Sequence, residues 1–204
     1  MESVTATALL RARLLEGTAA LVAGAPGLGP CGREALAVLA ELGASAVAVD
    51  LGLGGEPEEQ ESTIAAAVLD AATRAGDPRL LIVDAGSLLG AGADAAGALA
   101  LSAALQATWC AVRAVAERCY IAPGTGGRIV LLAPRPGAGA HASAAAAGLE
   151  NLARTLSIEW ARYAVTAVVL VPGAHSTPGE LAAICAYLGS PAGEYFSGCA
   201  LELR

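Results

Sequence analysis

Residues 18–50 read TAALVAGAPGLGPCGREALAVLAELGASAVAVD, and this stretch decides the fold. An apolar run (Ala19 to Ala23) leads into a glycine- and proline-rich turn. An Ala/Leu helical pattern follows, and a second apolar run (Ala46 to Asp50) ends on a carboxylate. A strand, a tight turn, a helix and a second strand in that order make the opening unit of a parallel sheet covered by helices. Within the turn, Gly27, Gly29 and Gly32 form a GxGxxG, and Asp50 follows about twenty residues on. That pairing suits a dinucleotide, with its pyrophosphate on the helix N-terminus and a ribose hydroxyl on the carboxylate. A turn that binds nothing stands beside this reading, because Pro26 and Pro30 carry no N–H to offer a phosphate.

The rest of the chain continues the alternation. Strands are expected at Leu80 to Asp84, Arg128 to Leu132, Thr166 to Val171 and Cys199 to Leu203. Helices are expected at Gly32 to Leu42, Ser62 to Ala75, Ala95 to Arg118, Ser143 to Tyr163 and Gly179 to Leu188, with loops at Gly52 to Gln60 and Pro123 to Gly127. The pattern predicts one α/β domain over residues 1–204, a Rossmann-like doubly wound parallel sheet in three α/β/α layers.

Composition narrows the function. The chain has 204 residues, 55% hydrophobic and 15% charged, which excludes disorder; with 3% aromatic residues its core is built from Ala, Val and Leu. A net charge of -7 argues against a nucleic-acid or anionic-membrane surface. Five scattered cysteines (Cys31, Cys110, Cys119, Cys185, Cys199) with no CxxC pair, and two histidines, give no metal site and fit a reducing cytoplasm. Glu2, Arg11 and Arg13 interrupt the N-terminal apolar stretch, so no signal peptide is expected. Asp94, Gln106 and Arg113 interrupt the stretch from Ala91 to Val115, which is expected to be a helix covered by protein.

Over nearly its whole length the sequence resembles the short-chain dehydrogenase/reductase family. LLEGTAALVAGAPGLG resembles that family's first strand and glycine loop, AVAVD its second strand, LLIVDAG its NNAG-type strand end, and GRIVLLAP its fifth strand. GLENLARTLSIEWARYAVTAVVLVPGAHST is similar to its active-site helix, sixth strand and PG turn, and SPAGEYFSGCALEL to its last strand. The glycine loop departs in one place, with two residues between Gly24 and Gly27 where the family has three. The resemblance implies cofactor contacts at Gly24, Gly27, Gly29, Gly32 and Asp50, with NAD as the cofactor if any is held.

The family's proton transfer uses a Tyr and a Lys four residues apart, an upstream Ser that holds the substrate oxygen, and an Asn on the preceding helix. The matching positions are Ala142, Ala146, Pro134 and Ala104. The resemblance therefore implies a degenerate member that is no enzyme on its own and has no catalytic residues. A divergent NAD-dependent oxidoreductase using His141, or a dinucleotide-sensing module, are the alternatives; His141 and His175 otherwise read as loop residues, and Ser143 as a helix cap. Leu51 to Asp84 is too short for the family's helix, strand, helix and strand, which at mean lengths of about 11 and 5 residues use roughly 32 before any loop. The third strand is thus expected to be missing, as is the substrate lid after Thr177.

The two long helices are kept. In the family they pair with a neighbouring subunit, which implies an interface through Leu105, Trp109, Leu149 and Leu152. The expected role is a structural partner of an active homologous subunit, in a heterodimer or heterotetramer of a dehydrogenase acting on hydroxyacyl thioesters.

Overall fold

The computed structural model describes residue 8 and residues 10–92 and 97–203. Six strands form one parallel sheet: β1 (Ala19–Gly24), β2 (Ser45–Asp50), β3 (Leu80–Asp84), β4 (Gly127–Leu132), β5 (Val165–Val171) and β6 (Cys199–Glu202), in the order β2-β1-β3-β4-β5-β6. The helices are α1 (Pro30–Glu41), α2 (Pro57–Ala75), α3 (Ala85–Ala91), α4 (Ala98–Val115), α5 (Ala142–Glu159) and α6 (Pro178–Gly189).

The sheet is buried on both faces, which is why β1 and β3 read as unbroken apolar runs. Successive side chains point to opposite faces of a strand. Leu21, Ala23, Leu81 and Val83 join the core under α2, α4 and α5, while Ala20, Val22, Leu80 and Ile82 join the core under α1 and α6. With so few aromatic side chains, both cores are filled by Ala, Val, Leu and Ile.

The chain leaves β1 to one side to make β2 and returns to the other side to make β3. The direction reverses between β1 and β3, so a crevice opens beyond their carboxyl ends, the usual ligand position of such sheets. The expected loss of a strand is found: α2 alone connects β2 to β3, and β2 is the outer strand. The expected short connection after β5 is found too, since α6 begins at Pro178.

Three expectations are corrected. Residues 57–60 belong to α2, not to the loop, and α3 was not anticipated. The fourth helix gives way at Ala116–Ile121 to a wider π turn, which brings Tyr120 into the core at 0% exposure. The fifth helix ends at Glu159, before a 3₁₀ turn at Ala161–Tyr163. Glu2, Asp94 and the expected helix start at Ala95 lie outside the described residues. Ala98–Ile121 has the length and mean hydropathy, 1.4, to cross a membrane, but half of it is buried, and α4 packs against α2, α3 and α5.

Candidate functional site

The crevice at the carboxyl ends of β1, β3 and β4 encloses about 470 Å³. Its polar lining is Cys31, Asp84, Ser87 and Arg135; Gly29, Pro134 and Pro172 supply apolar wall. Asp84 ends β3 and is 4% exposed. Its carboxylate accepts the Ser87 N–H at 3.0 Å, which caps α3, and the Gly32 N–H at 3.0 Å, in the first turn of α1. Burial raises the Asp84 carboxyl above its ordinary value, while the N–H donors of Ser87, Gly32 and Gly29 oppose the rise. Burial and the Asp84 charge likewise raise the Cys31 thiol, against the opposing Arg135 guanidinium, so Cys31 is not an activated thiolate. Arg135 donates to the Ser176 carbonyl and ties the loop after β4 to the loop after β5.

The glycine loop folds in on itself. Leu28 adopts a φ of +54° and donates its N–H to the Ala25 carbonyl at 2.8 Å. Ala25 donates to the Ser87 hydroxyl at 3.1 Å, and Gly27 donates to the Asp50 carboxylate at 2.9 Å. A Cβ at Gly29 would lie 2.8 Å from both Asp84 Oδ2 and Ser87 Cβ, and one at Gly24 would lie 2.8 Å from Ser87 Oγ. These glycines allow the β1 loop to close against β3 and α3, whereas Gly27, with φ +76°, faces open space.

A dinucleotide is the group this fold implies, and its pyrophosphate needs the N–H groups of this loop and of the first turn of α1. Those of Gly27 and Gly32 are held by carboxylates, that of Leu28 by a carbonyl, and Pro26 and Pro30 have none. The buried Asp84 carboxylate already occupies an N–H of the first turn of α1. The loop as folded fits a closed turn and does not fit a pyrophosphate.

The other expected positions divide. Pro134 lines the crevice, but Ala142, Ala146, Ala104, His141 and Asp50 are not among its lining residues. His141 precedes α5 and packs its ring against Gly97, where a Cβ would come within 2.6 Å of Nε2. His175 and Ser143 are exposed, and Ser143 lies inside α5, where it caps nothing. Ala104 and Ala142 are buried.

On the helical face, Leu105, Trp109 and Leu152 are half-buried. Leu149 is 0% exposed and is corrected from an interface residue to a core residue. Sequence reasoning missed Asp84, Ser87 and Arg135. A carboxylate at the end of a central strand, next to the reversal of strand order, was the available signal for Asp84.

No protein-family model and no curated protein matches the sequence. Solved structures do. A hydroxysteroid dehydrogenase from Escherichia coli superposes with a TM-score of 0.76 at 18% identity, covering 94% of this chain and 97% of the other. A citronellol catabolism dehydrogenase from Pseudomonas aeruginosa gives 0.74 at 24% identity, covering 96% of each chain. A short-chain dehydrogenase from Mycobacterium smegmatis gives 0.75 at 23% identity, covering 94% and 93%. The expectation that the chain is no enzyme on its own is corrected by these likenesses, since the structures that share its fold are those of dehydrogenases. The chain has the fold of the short-chain dehydrogenases/reductases.

Proposed function

We propose that the chain is an oxidoreductase subunit of the short-chain dehydrogenase/reductase type that pairs, through α4 and α5, with a second chain of the same fold. The observation that carries this reading is the outer face of those two helices. Leu105, Trp109, Gly148 and Leu152 line a groove of about 610 Å³, and Leu99 beside it is 67% exposed. Trp109 stacks on Trp160 with ring centroids 6.3 Å apart, which holds the groove wall rigid. Gly148 sits against Leu105, where a Cβ would approach its side chain to 3.2 Å, so α5 comes close to α4 along this face.

In the family that the sequence resembles, this is the face through which subunits join. The partner favoured is a homologue carrying the Tyr-x-x-x-Lys pair, since Ala142 and Ala146 stand at those positions here. Nicotinamide dinucleotide is the cofactor the resemblance implies for the assembly, and hydroxyacyl thioesters are its first substrates to test. The unpaired state of all five cysteines supports a reducing, cytoplasmic setting.

The test is co-expression with such a homologue, followed by light scattering on the purified material and a nicotinamide-linked assay of each chain alone and of the mixture. A stoichiometric heteromer whose rate exceeds that of the homologue alone is expected. A stable monomer that changes neither the assembly nor the rate of the homologue overturns the reading. A homodimer keeps the interface and overturns the heteromeric partner.

A further inference from the structure

At the opposite end of the sheet from the crevice, the amino ends of β3, β4 and β5 open into a cavity of about 680 Å³. Two guanidinium groups line it. Arg79 immediately precedes β3 and Arg128 lies on β4, and the Arg128 N–H donates to the Arg79 carbonyl at 2.9 Å, so the two residues leave adjacent strands at one level. Ser157, Ser197 and Tyr195 add hydroxyl groups to the lining, and Tyr195 is 85% exposed.

The cations are incompletely matched. Arg79 donates to the Thr125 carbonyl. Arg128 reaches the Gly189 carbonyl at 3.4 Å and Glu194 at 3.9 Å, both long contacts, and its Nε is buried with no hydrogen-bond partner. Among the described residues Glu194 is the one carboxylate in the lining, so two positive charges share the cavity with one negative charge. Two arginines lining one cavity with a single carboxylate leave an excess of positive charge there. A bound oxyanion relieves this excess through charge-assisted hydrogen bonds to the accessible guanidinium nitrogens. This arrangement stands out in a chain of net charge -7.

We infer that this basal cavity is a binding site for a small organic phosphate, its phosphate held between Arg79 and Arg128 and its organic part resting toward Tyr195. Two guanidinium forks and the Ser197 hydroxyl offer more donors than a carboxylate can use, and the cavity is much larger than a bare phosphate ion. Among the described residues, none lines both this cavity and either the crevice or the α4/α5 groove.

Phenyl phosphate is the probe, with inorganic phosphate and benzoate as comparisons, titrated into the full chain by calorimetry. Saturable binding of phenyl phosphate that weakens as salt rises is expected, with both comparison ligands weaker. Arg79→Gln and Arg128→Gln should each weaken it by about tenfold or more, with circular dichroism reporting an intact fold. Glu194→Gln, at a half-exposed position, should tighten it by removing the competing carboxylate, and this arm stands even if Arg128→Gln fails to fold. Absence of saturable binding, or binding that both arginine variants retain, overturns the site. Benzoate or inorganic phosphate binding as tightly as phenyl phosphate overturns the ligand class. Loss of binding in Arg135→Gln with retention in Arg79→Gln places the anion in the crevice and overturns the basal site.

Discussion

The Asp84 carboxylate accepts the Gly32 N–H at 3.0 Å across 52 residues of sequence, joining the end of β3 to the first turn of α1. The same carboxylate caps α3 through Ser87. One buried anion thus anchors two of the helices that border the crevice, α1 and α3, and it is held there at the cost of desolvation.

That cost sets a pH dependence. The folded state raises the Asp84 carboxyl above its unfolded value, so its contribution to stability is fully present below the ordinary carboxylate range and is lost as pH rises through the raised value. Denaturant unfolding of the wild type and of Asp84→Asn across an acidic pH series measures this contribution. The stability difference, wild type minus variant, should fall as pH rises, with a slope of at most about 1.4 kcal/mol per pH unit. A difference independent of pH would show that Asp84 titrates alike in both states.

The closed glycine loop gives a second expectation. Asp50→Ala frees the Gly27 N–H, held at 2.9 Å in the wild type, and removes a negative charge from the loop. Affinity for NADP, read by calorimetry, should rise about tenfold over the wild type, in line with a charge-assisted bond exchanged for one to phosphate. Unchanged or weaker binding would count against the loop as the obstacle.

Tyr120 and Gly127 supply a stability test. The buried Tyr120 ring lies where a Cβ on Gly127 would come within 2.4 Å of it. Gly127→Ala should destabilise the fold by about 1–3 kcal/mol through overpacking, seen as a lower urea midpoint. A midpoint equal to the wild type would mean that the π turn shifts freely.

The helical face separates core from interface. Leu149→Ala, at a fully buried position, should cost about 2–5 kcal/mol of folding stability. Leu152→Glu, at a half-buried position lining the α4/α5 groove, should leave the melting profile close to the wild type and abolish co-purification with the homologue. Retained co-purification would move the contact elsewhere.

Much of the architecture is legible in the chain because it is local. β1 and β3 are unbroken apolar runs, and the short Leu51 to Asp84 stretch leaves no room for another strand. α3 escapes such reading because AGSLLGA, with two glycines, is a poor helix former and depends on the Asp84 cap. The glycines mark a loop, but the partners of that loop are distant: Asp84 lies 52 residues from Gly32, and Ser87 lies 62 residues from Ala25. Arg79 and Arg128 carry no mutual signal at all; only the register that sets Leu80 beside Arg128 makes them neighbours. Leu149 and Leu152 look alike in sequence, and only the rotation of α5 against β5 sends one inward.

The shortened crossover after β2 governs how the protein fails as well as how it is built. Ser45–Asp50 is an outer strand, so one row of its backbone N–H and C=O groups has no strand beside it. Natural sheets guard such margins with lysine, proline or a bulge, and SAVAVD has only its terminal carboxylate. Two molecules can therefore zip together along these margins once heat loosens the surrounding loops, and loss of material on warming should accelerate with concentration. The strand margin, and not the crevice, is then the expected starting point of aggregation.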